Sequence, residues 1–206
     1  MSGFLGLGPD LLIRIPALVA ALTIHEYAHA RVALAMGDPT PKHAGRVTLN
    51  PLAHLDPIGM IMLWITSFGW GRPVEVNPAN FRGDRERGMM AVAAAGPLSN
   101  LGLALVSALI LSYAPVMPAA VSGFLAVSIR MNVFLAVFNL IPLPPLDGSK
   151  VLFGILPRRI AYEYFARVQA MGPFLLLLLV FSGALWRVLG PLAFGMERLI
   201  LRIAGF

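Results

Sequence analysis

Leu11-Leu-Ile-Arg-Ile-Pro-Ala-Leu-Val-Ala-Ala-Leu-Thr-Ile-His25-Glu26-Tyr27-Ala28-His29-Ala-Arg-Val-Ala-Leu-Ala-Met36 is apolar almost throughout, and most of its polar exceptions gather in one pentapeptide. As a helix of about 26 residues it would be about 39 Å long, enough to span a hydrocarbon core of about 30 Å with tilt. Pro16 falls in the first two turns, where a proline costs least. Gly37-Asp38-Pro39 ends the run. A carboxylate and two imidazoles at membrane depth are costly unless they share a task. His25 and His29 are four apart, so they share a helical face and can reach one metal ion. Glu26 lies about 100° round the helix from His25, within reach of a water beside that ion without being a ligand. H-E-x-x-H on a helix is the signature of zinc-assisted hydrolysis with a glutamate base.

The rest of the composition fits that setting. The chain has 206 residues, 58% hydrophobic and 13% charged, with a mean hydropathy of +0.78. A soluble domain carries about 25% charged residues, so a single polytopic membrane domain over 1–206 is expected, with a core over about 11–152. The net charge of +6 is read through its distribution among the loops. No basic patch is interleaved with stacking aromatics, so a nucleic-acid partner is not expected. The absence of cysteine excludes disulfides, thiolate ligands and a cysteine nucleophile. The first apolar run has no basic region ahead of it and no clear cleavage site, so a removable signal peptide is not expected.

Farther along, Gly45–Leu49 and Arg72–Val76 suggest short strands. Ile58–Phe68 is apolar but too short for a comfortable span, and reads as re-entrant or interfacial. Gly88–Tyr113, rich in Ala, Gly and Leu, is a second span whose small residues permit close helix packing. Val121–Ile141 is a third, broken by the prolines of Pro142-Leu143-Pro144-Pro145. Lys150–Arg167 is charged and partly amphipathic. Phe174–Trp186 and Leu189–Ile203 suggest a C-terminal hydrophobic hairpin within about 170–206. The fold class expected is therefore all-α and polytopic: a three-helix core, short strand or re-entrant segments between the first two spans, and that hairpin. Arg72–Arg87 carries four arginines and Lys150–Arg167 one lysine and three arginines, while Ala114–Ala120 carries none. Positive charge marks the cytoplasmic side, so the first helix is expected to run inward.

Two histidines are too few for a catalytic zinc site, which takes three protein ligands and a water. Asp147 follows the proline-broken helix end, where irregular backbone would keep a carboxylate inside the protein. It also reads equally well as an ordinary turn aspartate before Gly148. Asn132 and Asn139, seven apart, lie on nearly one face and suggest a shared polar path. Ser99 and Asn100 read as interhelical hydrogen-bonding residues, and His43 and His54 as surface or loop-fixing residues. Arg130 stands near the middle of the third span, where it calls for a carboxylate partner, a neighbouring helix or a shallower depth.

Together, His25-Glu26-Tyr27-Ala28-His29 and Asn139-Leu-Ile-Pro-Leu-Pro-Pro-Leu-Asp147-Gly148 resemble the paired motifs of the site-2 protease family, zinc intramembrane metalloproteases. Val47–Pro57 and Ala95-Gly-Pro-Leu-Ser-Asn100 also look like family segments, so the resemblance covers roughly 17–152. It is to the compact form without a PDZ or CBS domain. It implies His25, His29 and Asp147 as ligands of one zinc ion and Glu26 as the base. It places Asn139 near the metal, bound to substrate backbone or oxyanion; an interhelical hydrogen bond is the other reading of that side chain. The expected activity is hydrolysis of a peptide bond within or near a transmembrane helix of a single-span substrate, as in regulated intramembrane proteolysis. The expected setting is a prokaryotic cell membrane, with the site toward the cytoplasm and a regulatory membrane partner or oligomer left open. A metal transporter or channel, or a catalytically silent membrane scaffold, are the rival classes.

Overall fold

A computed structural model describes residues 11–66, 69–114 and 116–206. Its helices are α1 (Leu11–Ala35), α2 (Thr40–His43), α3 (Pro57–Thr66), α4 (Arg85–Tyr113), α5 (Ala119–Asn139), α6 (Asp147–Ile155), α7 (Arg158–Val168), α8 (Gly172–Phe181) and α9 (Ala184–Ile203). Among the described residues there is no strand, only an isolated antiparallel bridge between Leu55 and Gly71.

Local sequence explains where the long helices start and stop. After α1, Gly37 takes φ 106°. Its N–H donates to the Leu34 carbonyl at 3.1 Å, and the Asp38 N–H donates to the Ala33 carbonyl at 3.0 Å. These paired bonds need a left-handed residue at that position, hence glycine. Asp84 opens α4 by accepting the N–H groups of Glu86 and Arg87, both at 2.9 Å, which satisfies two of the orphan donors of the first turn. α5 stops at Asn139, three residues before Pro142.

α1, α4 and α5 pack against one another. Alanines make this close approach possible: Ala17, Ala21, Ala30, Ala33, Ala104, Ala108 and Ala136 have no exposed surface at all, as expected where small side chains let helix backbones meet. The link from α4 to α5 is so short that the two run antiparallel. Both are long and apolar enough to cross a membrane, and α7 with α8, bent by 66°, passes the same test as one broken segment. The length of α1, 25 residues, matches a span, but His25, Glu26, His29 and Arg31 lower its hydropathy. Leu98, Val106, Ile110, Val121, Phe174, Phe181 and Phe194 are all exposed. An apolar exterior this extensive is foreign to a monomer in water and ordinary in lipid.

The C-terminal segment departs from the hairpin expected for it. α8 begins with Gly172 packed on the backbone of Pro144, at the end of the bundle where α5 finishes. α9 finishes with Ala204 packed beside Ala108, and Gly205 beside Ser112, where α4 finishes. α4 and α5 are antiparallel, so these are opposite ends. α8 and α9 together traverse the bundle instead of turning back. The break falls at Ser182-Gly183, where Gly183 has φ 71°, rather than at Arg187. Apolar patterning marks such a break but not the direction of the chain after it.

The strands expected at 45–49 and 73–76 are also absent. The two segments do meet, but side chains hold them. The Arg46 guanidinium donates to the carbonyls of Arg72 and of Pro73, the latter at 2.7 Å. The Val74 N–H donates to Glu26 Oε2 at 3.1 Å. Backbone groups engaged in this way cannot form a ladder. His54 fixes the same loop from within: it is fully buried, and its Nε2 bonds the Thr48 carbonyl at 2.8 Å. The region expected to be re-entrant holds the ten-residue α3. Arg130 has found a carboxylate, with Nε 3.2 Å from Glu197 Oε1 on α9.

Candidate metal centre

The centre is assembled from three elements. α1 presents His25 and His29 one turn apart toward α4, where Gly96 receives them. A Cβ on Gly96 would run into both imidazole rings, so only glycine lets the two rings, set nearly perpendicular to each other, come this close to the α4 backbone. The residues of Ala95-Gly-Pro-Leu-Ser-Asn100 thus form the wall behind the histidines.

Each ring is then fixed by its Nδ1. His25 Nδ1 lies 2.7 Å from Asn100 Oδ1, and His29 Nδ1 lies 2.7 Å from the Val92 carbonyl oxygen. The Val92 oxygen can only accept. Asn100 Nδ2 donates to the Ala21 carbonyl at 3.0 Å, so its Oδ1 is the atom facing His25. Both Nδ1 atoms are therefore donors, and in each neutral imidazole Nε2 carries the lone pair.

Asp147 arrives by a different route. α5 ends early, and residues 140–146 turn through an irregular path that leads to the first residue of α6. Gly148 makes the close passage possible, because a Cβ there would strike the carbonyls of Leu140 and Ile141. Ser149 Oγ donates to the Leu146 carbonyl at 2.7 Å and fixes the turn. Asp147 is 9% exposed. Its Oδ2 lies 3.1 Å from His25 Nε2 and 3.2 Å from His29 Nε2, and the two Nε2 atoms are 3.0 Å apart.

Three lone-pair atoms thus converge with no proton assigned among them. Without a cation, that arrangement is repulsive. The group His25, His29 and Asp147 could hold a metal ion, and its chemistry suits zinc, which takes imidazole nitrogen and carboxylate oxygen at about 2.0–2.2 Å. Atoms at that radius around a tetrahedral ion stand about 3.3 Å apart, close to the separations present. The hydrogen bonds behind the imidazoles are those that orient metal-ligating histidines.

A cavity of about 640 Å³ opens in front of these atoms. Glu26, Asn139 and Lys150 line it with the three converging residues, and Trp70, Gly71, Pro73 and Val74 form part of its wall. Glu26 is half-buried, held by the Val74 N–H. Asn139 Nδ2 donates one hydrogen bond to the Leu135 carbonyl at 3.0 Å, within its own helix. Lys150 Nζ stands 3.9 Å from Asp147 Oδ1.

All five residues singled out from sequence therefore share one cavity. Asn132 does not line it; it bonds Asn100 behind the imidazoles. The reading of Asn100 as an interhelical hydrogen-bonding residue holds, and it also touches His25 directly; the Ser99 hydroxyl instead donates to the Gly96 carbonyl at 2.7 Å within α4, with the Ile24 carbonyl farther off at 3.5 Å. Gly96, the Val92 carbonyl, Val74 and Lys150 were not found from sequence. A glycine in an alanine-rich helix reads as packing, and a backbone carbonyl has no sequence signal at all.

Comparison with known proteins supports the same chemistry. The sequence profile of peptidase family M50 matches residues 112–180, which include Asn139 and Asp147. YwhC of Bacillus subtilis, which carries the name of a zinc metalloprotease, is 44% identical over 161 residues, covering 74% of this chain and 72% of that one. Proteins named Rip2, also as zinc metalloproteases, are 32% identical over 142 residues in Mycolicibacterium smegmatis and over 147 in Mycobacterium tuberculosis. Those matches cover 67% of this chain, which spans just over half (55%) of each Rip2 protein. No solved structure matches the chain at a significant level.

Proposed function

The chain belongs to peptidase family M50, and from that premise we propose that it is a zinc-dependent endopeptidase that hydrolyses a peptide bond within or near a transmembrane helix of a membrane-protein substrate. The observation that carries this reading is the convergence of His25 Nε2, His29 Nε2 and Asp147 Oδ2 beside the Glu26 carboxylate, in a cavity among apolar helices.

His25, His29 and Asp147 would hold one zinc ion. The chemistry supplied by zinc in such a site is Lewis acidity, which polarises a carbonyl and acidifies a water. Glu26 accepts the proton of the attacking water and returns it to the leaving amine, the role of a general base and then acid. The Val74 N–H fixes one of its oxygens and leaves the other for proton transfer. Asn139 has a second amide N–H beyond the one given to Leu135. That donor is assigned to the substrate backbone or to the oxygen on which negative charge develops.

The depth of the centre supports an intramembrane reaction. His25 lies ten residues before the end of α1 and Gly96 eleven after the start of α4, about 15 Å along either helix. α1, α4 and α5 form the catalytic core. A helical substrate must unwind locally, since its carbonyls are tied up in its own hydrogen bonds. The substrate class is a single-span membrane protein, as in regulated intramembrane proteolysis. The basic segments around 72–87 and 150–167 put the nearer end of the site at the cytoplasmic face of a prokaryotic cell membrane.

The test compares purified wild type with Glu26→Gln for bound zinc and for cleavage of a panel of single-span substrates. The variant should keep its zinc and lose cleavage by about 10²–10⁴-fold. Metal flux into vesicles without cleavage by the wild type would favour a transporter and sink the protease reading.

A further inference from the structure

The hydrogen bonds behind His25 form a directed chain, and its far end touches neither the cavity nor the converging atoms. Ser128 O accepts from Asn132 Nδ2 at 2.9 Å. A carbonyl can only accept, so this bond fixes which way the Asn132 amide points. Asn132 Oδ1 is thereby turned to Asn100, whose Nδ2 donates to it at 2.7 Å. The other N–H of Asn100 goes to Ala21 O, and Asn100 Oδ1 is left to accept from His25 Nδ1. Both asparagines have no exposed surface, so water cannot replace a missing partner.

We infer that Asn132 is a positioning residue for the metal centre: through Asn100 it holds the proton of His25 on Nδ1 and so keeps Nε2 free to bind metal. This rests on the zinc reading above. With no acceptor at 132, Asn100 loses one of the two partners that oppose its flipping. A flipped Asn100 presents its NH₂ group to His25 Nδ1. The ring proton then moves to Nε2, where the metal would bind. His29 is exempt, because its Nδ1 is held by the Val92 carbonyl.

The test is zinc affinity of the purified full chain, by competition with a chromogenic chelator, alongside the melting temperature of the metal-free protein. Asn132→Leu keeps the branched shape and the number of side-chain heavy atoms and removes the acceptor. Its zinc affinity should fall 10–100-fold, as for other orienting partners of metal ligands, with cleavage restored at saturating zinc. Asn132→Asp keeps an acceptor toward Asn100, and in its protonated form a donor toward Ser128, so its affinity should stay within about threefold of wild type. Unchanged affinity in Asn132→Leu, or an equal loss in both variants, would overturn the inference and leave the metal centre standing. Wild type without zinc affinity would overturn the metal reading and this inference with it.

Discussion

At the residue scale, Gly96 constrains the candidate metal centre as directly as the three proposed ligands do. It is the surface against which His25 and His29 are set, and the space a methyl group would need is already filled by their rings. Gly96→Ala would improve local helix propensity yet should lower zinc affinity and the melting temperature together. Overpacking of this kind costs about 1–3 kcal/mol, which thermal unfolding and chelator competition would register; a variant matching wild type in both would show that α1 and α4 separate freely. The contrast with the ligands explains what could be read from sequence. His25, Glu26 and His29 announce themselves because charge in an apolar run is costly, and Asp147 because prolines break the helix before it. The ambiguity at Asp147 between ligand and turn residue could not be resolved by spacing. The fold brings the Asp147 carboxylate to His25 and His29 through geometry that depends on Gly148 passing close to the Leu140 carbonyl.

At the element scale, the connection from α1 to α4 is organised around Asp38. Its Oδ1 accepts from the Thr40 N–H, the Thr40 hydroxyl and Asn80 Nδ2 at 3.1, 2.6 and 2.8 Å, and its Oδ2 accepts from the Asn77 N–H at 2.7 Å. Burial pushes the carboxyl pKa up, but these hydrogen bonds, that of Asn80 foremost, hold it below the ordinary carboxylate value. Because the folded pKa is the lower one, the stabilisation is complete above the unfolded value of about 3.9 and is lost as pH falls through the folded value. Wild type should therefore lose melting temperature on acidification below about pH 4. Asp38→Asn should flatten that acid limb. At neutral pH it should be less stable by about 1–3 kcal/mol, since its NH₂ would face the Asn77 N–H and leave a buried donor unpaired. An acid limb of unchanged steepness in Asp38→Asn would assign the pH dependence to other carboxylates. This connection is also where sequence misled. Gly45–Leu49 and Pro73–Val76 have strand-like composition, but composition does not reveal that the Arg46 guanidinium takes the Arg72 and Pro73 carbonyls and Glu26 takes the Val74 N–H.

At the scale of the whole molecule, the question is how many times the chain passes from one face to the other. The apolar run from Phe174 to Ile203 was compatible with a hairpin, and a hairpin would return the C-terminal residues to the side of α7. The contacts run otherwise. α7 is tied to the start of α4 by Arg158, whose Nη2 and Nε stand 3.3 and 3.0 Å from Asp84 and Glu86. α9 ends at the opposite limit of α4, beside Ala108 and Ser112. A chain with no cysteine of its own allows a clean test. Single cysteines at exposed positions Arg82, Ala120, Arg159 and Phe206 should divide into two pairs when probed with a membrane-impermeant thiol reagent. Ala120→Cys and Phe206→Cys should react in intact cells. Arg82→Cys and Arg159→Cys should react only in inverted vesicles or after permeabilisation, because basic segments are expected on the cytoplasmic side. If Phe206→Cys grouped with Arg159→Cys, α8 and α9 would be a hairpin after all. If the two pairs exchanged faces intact, the path of the chain would stand and the side to which the Glu26 cavity opens would be reversed.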